Sequence, residues 1–277
     1  MVPFAVILGT NEVASAVAVQ LHRAGFSVVL SHDPMPPVIR RKMAFHDALF
    51  DDLVTLDGVG AQRAATGLEI RGALGRTAGV LVTELGLLDL LVVRTLDVLV
   101  DARMQKYQTI PDLRRLARHT IGLGPGFSAG SNCDIAIETR PATAGRILEQ
   151  GPTEPADAMP PDLGGHAAER FVRAEVSGRW HTALEIGTRI FKSFVIGHLG
   201  NLVVRAPFDG ILRGLVRDGT EVPAGSKLLE VDARGRNASW TGIDGRSRRI
   251  AKAVAHAIAK REAQLQQRGA PILHIVK

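Results

Sequence analysis

The chain contains an internal repeat. Val172-Arg173-Ala174 recurs thirty-two residues later as Val204-Arg205-Ala206, and at the same offset Gly178, Gly187 and Thr188 match Gly210, Gly219 and Thr220. Ile190 matches Val222 as a conservative pair. Each copy reads as strand-like runs around glycine turns. Neither copy can bury a face alone, whereas two folded together can close a small β-barrel. This places a β module at residues 169–236, preceded by a proline-rich linker over 151–168 and followed by a C-terminal helix and tail over 237–277.

Residues 1–150 read differently. Phe4–Leu8 and Phe26–Leu30 are apolar runs, and Val13, Val17, Leu21 and Ala24 between them are spaced as one face of a helix. Gly25 ends that helix. A second helix is expected over Val38–Phe50, and a hairpin around Asp57-Gly58. Val80–Thr83, Val98–Val100, Thr120–Leu123 and Cys133–Glu138 are strands by the same reading, with helices at Glu84–Thr95 and Pro111–Arg118. Strands alternating with helices predict a parallel sheet covered on both faces, a Rossmann-like α/β domain. Arg246–Gln267 reads as a helix and Pro271–Val276 as a last strand.

With 4% aromatic residues and 45% hydrophobic residues, the core is aliphatic. The formal charge of +6 favours anionic partners, but no basic stripe interleaved with aromatics points to nucleic acid. The chain has one cysteine, Cys133, which fits a reducing, cytoplasmic setting. The first residues read as a strand rather than a signal peptide. Charges within Gly79–Val100 argue against a membrane span.

Four places carry candidate chemistry. Gly9-Thr10-Asn11-Glu12-Val13-Ala14 stands where a dinucleotide-binding turn would lie, and Gly9, Ala14 and the later Asp33 fit that pattern. Asn11 replaces the middle glycine, and the alternative is a turn that binds no dinucleotide. The loop holding Gly124, Gly126, Phe127 and Gly130 can cradle an anion on its backbone N–H groups or serve as a tight structural loop. Cys133, beside that loop, is either a reactive thiol or an inert core residue. Arg40 and Arg41 could meet a phosphate or form a solvated helix face. No metal-ligand spacing is present among the histidines.

The segments Val204–Gly210, Val216–Gly225 and Leu228–Glu230 resemble the half-motif of biotinyl/lipoyl barrels. Those carriers present a modifiable lysine on the hairpin between halves. Here that hairpin is Gly197-His198-Leu199-Gly200-Asn201, without lysine, so no attached biotin or lipoate is expected and the module reads as a docking or binding element.

Taken together, the chain resembles the YqeB family of accessory proteins for selenium-dependent molybdenum hydroxylases. The carriers are Leu21–Phe26, Arg40-Arg41, Asp97–Ala102, Leu123–Phe127 with Ala129-Gly130 and Cys133, Ile137–Thr139 and Ala206–Gly210. The resemblance implies a maturation factor that binds the molybdenum cofactor, a pterin dinucleotide, or assists its insertion or its sulfur or selenium loading. The partners it implies are a molybdenum hydroxylase or its maturation proteins. A nucleotide ligand with NAD(P)-dependent oxidoreductase activity and a non-catalytic scaffold are the alternatives, and homo-oligomerisation is left open.

Overall fold

A computed structural model describes residues 2–76, 78–106, 108–156 and 159–267. The expected strand at Pro271–Val276 lies outside them. The chain divides into two units, each assembled from separated stretches: Met1–Asp33, Ala44–Ala156 and Ile243–Lys277 form the first, Pro34–Met43 and Asp157–Gly242 the second. The sequence places uninterrupted domains at 1–150 and 169–236. Instead, the segment around Arg40 belongs to the β unit, and the C-terminal helix belongs to the α/β unit.

The first unit opens with β1 (Phe4–Leu8), α1 (Glu12–Arg23) and β2 (Ser27–Ser31). Helix α1 ends as its sequence predicts. The N–H groups of Gly25 and Phe26 donate to the carbonyls of His22 and Leu21, a Schellman closure made by the glycine after the cap. Then come β3 (Val54–Leu56) and β4 (Val59–Arg63), paired across the Asp57-Gly58 turn. They are followed by α2 (Gly67–Ala73), β5 (Val80–Thr83), α3 (Leu87–Leu91), β6 (Leu96–Asp101) and β7 (Ala117–Leu123). Short strands β8 (Ser128–Ala129), β9 (Ile135–Ile137), β10 (Ile147–Leu148) and β11 (Gly151–Pro152) follow, and α4 (Gly245–Gln267) closes the unit.

Nine strands form one mixed sheet in the order β10-β9-β7-β6-β1-β2-β5-β4-β3. Alternate residues of β1 face opposite ways, as the two-residue period of a strand requires. Ala5 and Ile7 join the core under α1 and α4, whereas Phe4, Val6 and Leu8 join the core that contains Ile70, Leu90, Phe127 and Cys133. On the first face Val17 and Leu21 share a cluster with Ile250, Val254 and Ile258.

The expectation of a Rossmann-like domain followed by a biotinyl/lipoyl-like barrel is therefore corrected on both counts. In the first unit the sheet is mixed and wide, with antiparallel strands at both ends. Three of the expected crossover helices are absent or reduced. Val38–Phe50 forms only 3₁₀ turns, Glu84–Thr95 keeps the five residues of α3, and Pro111–Arg118 gives a turn running into β7. Apolar spacing alone does not sustain a helix where the chain crosses between units or where Arg115 takes a left-handed backbone.

The second unit holds β12 (Phe171–Arg173), β13 (Gly178–His181), β14 (Arg189–Ile190), β15 (Val195–Leu199), β16 (Leu202–Arg205), β17 (Gly210–Leu215), β18 (Glu221–Val222) and β19 (Lys227–Asp232). They form two separate four-stranded sheets, β12-β19-β17-β14 and β16-β15-β13-β18, rather than a closed barrel. The repeat explains their composition. Advancing or retreating thirty-two residues converts each strand of one sheet into its counterpart in the other, so each sheet takes two strands from each copy.

The hydrogen bonds obey the same rule. Gly187 N–H donates to the Leu212 carbonyl as Gly219 N–H does to Trp180; Leu212 N–H donates to Thr188 as Trp180 N–H does to Thr220. Both sheets contribute to one core around Trp180, Ile190, Leu212, Val222 and Leu229. The hairpin read at Gly197–Asn201 joins β15 to β16. No helix among the described residues is long and apolar enough to cross a membrane.

Candidate functional site

Leu8 is level with Ser31 on one side and with Asp101 on the other, and Ser31 is level with Thr83. Four parallel strands therefore end together, and the residues after them form one polar edge. Ligands of parallel sheets gather at such carboxyl ends.

Thr10, directly after the β1 turn, places Oγ1 3.2 Å from His32 Nδ1 and 3.0 Å from His46 Nδ1. A hydroxyl has one proton to give. One imidazole therefore accepts it at Nδ1 and carries its own proton on Nε2, while the other donates from Nδ1. Thr10 and His46 are buried, and the two rings lie 5.1 Å apart. Burial pushes the His32 imidazole below its ordinary value, against the opposing pull of Asp33 and Glu84, which favours the neutral ring. Such a group can pass a proton between two imidazoles or orient a ligand hydroxyl.

Beside it, Arg103 forms a bidentate pair with the buried carboxylate of Asp101 and stands 3.6 Å from Asp33, which accepts from Gln105 Nε2 at 2.9 Å. The hydrogen bond to Asp101, against the cost of burial, raises the Arg103 guanidinium and keeps it charged. Arg63 reaches Glu84 at 3.6 Å. Arg63 also stands 3.6 Å from Asp51, so the two guanidiniums meet four carboxylates, Asp33, Asp51, Glu84 and Asp101. This edge suits the N–H and O–H donors of a ligand better than its phosphates.

The anion sites read from sequence are used internally. At the start of α1, Asn11 Oδ1 accepts from the N–H groups of Val13 and Ala14, and its Nδ2 donates to the Ala102 carbonyl at 2.7 Å. The amides a pyrophosphate would use are thus capped by the side chain that replaced glycine. Gly9 takes φ +105, and a Cβ there would lie 3.0 Å from the Ala102 carbonyl oxygen, so its requirement is close backbone packing.

In the glycine loop, Gly124 N–H donates to Ile137, Gly130 N–H to Cys133, and Ser128 N–H to the Asn132 side chain. Asn132 Nδ2 in turn donates to the Gly126 carbonyl. The Phe127 ring fills the space over Gly122 and lies in the core. These contacts make the loop a tight structural one, with those amides unavailable to an anion. Arg40 and Arg41 belong to the second unit, where Arg40 pairs with Glu230 and Arg41 Nε donates to the Leu215 carbonyl at 2.9 Å.

Cys133 is fully buried, and burial pushes its thiol up to about 12. A nucleophilic cysteine needs a thiolate, so this burial favours the packing reading of Cys133 over the reactive one. We expect a chromogenic disulfide reagent to leave native protein unmodified and to release one equivalent of thiol signal after denaturation. Rapid modification of the native state would restore the reactive reading.

Among the residues read from sequence, the structure brings Gly9, Asn11 and Asp33 to the edge. Thr10, His32, His46, Asp101 and Arg103 escaped that reading. Ser31-His32-Asp33 and Asp101-Ala102-Arg103 each follow an apolar strand run, a signal that marks strand ends. His46 had no such signal, because its segment read as a helix.

No protein-family model matches the chain. A protein of Escherichia coli strain K12 named YqeB, itself described as uncharacterized, is 32% identical over 262 residues, 91% of this chain. The likeness supports the YqeB family. The chain spans about half the length of that YqeB relative, 47% of it. Among solved structures, a succinylglutamate desuccinylase/aspartoacylase from Rhodobacter sphaeroides and the ectoine utilization protein EutE from Ruegeria pomeroyi are both similar to this chain. Each is 13% identical, with 83% of this chain and 85% of theirs covered and a TM-score of 0.26. At that score the likeness carries no functional argument.

Proposed function

We propose that the chain acts in the maturation of a molybdenum hydroxylase, as a holder of the pterin cofactor or a precursor at the carboxyl edge of the nine-stranded sheet. The pathway is what the sequence resemblance to the YqeB family implies. The observation that carries the site is the joined Thr10–His32–His46 and Asp33–Arg103–Asp101 groups. Their acceptors and neutral imidazole suit the hydroxyl and ring N–H groups of a pterin or ribose. The proposed chemistry is non-covalent, because Cys133 is fully buried and that burial raises its thiol, which disfavours a thiolate.

Titration calorimetry with purified pterin dinucleotides tests this. We expect measurable binding that weakens about tenfold in Asp33→Asn and in Thr10→Val, the loss of one hydrogen bond to a charged or buried group. Absence of affinity for every pterin dinucleotide would overturn the holding role.

A further inference from the structure

The repeat in the second unit supplies an internal comparison between two equivalent sheet edges. Strand β12 ends one sheet and β16 the other, and the two correspond at the thirty-two-residue offset. Their pairings match as well: Arg173 is level with Lys227 as Arg205 is with Val195, and Phe171 with Glu230 as Val203 is with His198.

The β12 edge is covered by its own chain. Lys227 Nζ stands 3.5 Å from the centre of the Phe171 ring, and the Arg170 guanidinium stands 4.5 Å from it. Arg170 is itself buried, and its Nη1 donates to the carbonyls of Pro161 and Ala167.

At the β16 edge the same positions hold different chemistry. Leu202 replaces Arg170, Val203 replaces Phe171, Val195 replaces Lys227, Phe194 replaces Ser226 and Phe191 replaces Pro223. All five are between 38% and 54% exposed. The fold therefore tolerates Arg, Lys and Ser at these sites, and the apolar residues on the β16 side are not required by packing. A cluster of this kind on an edge strand marks an interaction surface.

We propose that the β16 edge docks an extended acidic and apolar segment of a partner protein, which adds a strand beside Leu202–Arg205 and seats apolar side chains on Phe191, Phe194 and Val203. Two observations select this occupant. The segments 189–195 and 202–205 carry Arg189, Lys192 and Arg205, with Arg189 over the Phe191 ring and Arg205 Nη1 on the Ser193 carbonyl at 2.9 Å; beside these three cations the carboxylate of Asp209 accepts from the Lys192 backbone N–H at 2.7 Å. A second copy would bring the same cations against themselves in a chain already at +6, whereas a carboxylate-bearing strand is complementary. The edge strand also favours an extended backbone over a lipid surface, because main-chain hydrogen bonds are what such an edge offers. The inference is independent of the proposed pterin role.

The test uses the full chain and a fluorescent peptide alternating Val and Glu, read by anisotropy, with a Val and Lys peptide as control. We expect salt-sensitive binding of the acidic peptide alone. The double variant Phe194→Ser, Val195→Lys installs the residues of the equivalent edge; it should keep its thermal melt and weaken binding about tenfold. If that variant does not fold, Arg205→Glu carries the same test with the apolar groups intact, and it too should weaken binding about tenfold. Failure of the acidic peptide to bind, equal binding of the lysine peptide, or unchanged affinity in a folded variant would overturn the proposal. A concentration-dependent dimer abolished by these variants would assign the edge to a second copy instead. Co-sedimentation with phosphatidylserine vesicles without peptide binding would assign it to a membrane surface. Either result overturns the proposal.

Discussion

Replacing Glu230 by Gln is expected to cost about 3–5 kcal/mol of folding stability, the range for removing one partner of a buried ion pair. Glu230 is fully buried in β19 and receives three guanidiniums: Arg40 at 2.7 Å, Arg170 at 3.0 Å and Arg213 at 3.5 Å. Side chains of Arg170 and Arg213 are 3% and 8% exposed, so water cannot take over the role of the carboxylate. Glutamine keeps the shape and removes the charge, leaving three cations clustered without their shared anion.

The arrangement also secures two peripheral segments of the unit. Arg40 ties down Pro34–Met43, where Leu215 N–H also donates to the Ile39 carbonyl at 2.7 Å, and Arg170 ties down the chain around Pro161–Ala167. Denaturant unfolding of the wild type and Glu230→Gln checks the size. A loss below about 1 kcal/mol, the scale of a surface pair, would show the cluster to be incidental.

The pH dependence has a definite sign. Burial by itself raises the Glu230 carboxyl, but Arg40, Arg213 and Arg170 outweigh it and hold the carboxyl below its ordinary value of 4.5. A depressed folded-state value means stability that is present above 4.5 and lost as pH falls through the lower folded value. Wild type should therefore lose stability on acidification below that point more steeply than Glu230→Gln, which lacks the titrating group.

Much of the secondary structure was legible from local pattern. The spacing of Val13, Val17 and Leu21, the stop at Gly25 and the Asp57-Gly58 turn each act within a few residues, and the structure follows them. The thirty-two-residue repeat was legible for the same reason, and it accounts for the exchange of strands between the two sheets. The partners of each element were not legible. Nothing in Ile250, Val254 and Ile258 says that α4 packs with α1 rather than with the β unit preceding it. Nothing in Arg40-Arg41 says that they leave the α/β unit to meet Glu230. These are contacts over many tens of residues, set by which surfaces remain to be buried.

The site followed the same division. Strand ends could be placed, and with them Gly9, Asn11 and Asp33. The donors and acceptors that the loops spend on themselves could not be counted from sequence. Four glycines in the 122–130 loop looked like a cradle because glycine-rich backbone can expose its amides, yet here Asn132, Ile137 and Cys133 take those of Ser128, Gly124 and Gly130.

Gly9→Ala separates the two meanings that a glycine at the end of β1 can have. If the residue were glycine to admit a phosphate, alanine would abolish nucleotide affinity and leave folding intact. The structure gives another reason. The backbone at Gly9 is left-handed, at φ +105, and an added Cβ would meet the Ala102 carbonyl oxygen at 3.0 Å and Arg103 Cα at 3.2 Å. Both contacts are backbone, so no side chain can swing aside. The Ala102 carbonyl is also held by Asn11 Nδ2, which resists its retreat. We therefore expect Gly9→Ala to lose about 1–3 kcal/mol through strain alone, with no ligand present. Because the displaced turn carries Arg103, its pair with Asp33 should loosen, and affinity for a pterin dinucleotide should fall along with stability. An unfolding midpoint equal to that of wild type would mean that the turn yields freely, and the packing account of Gly9 would fail.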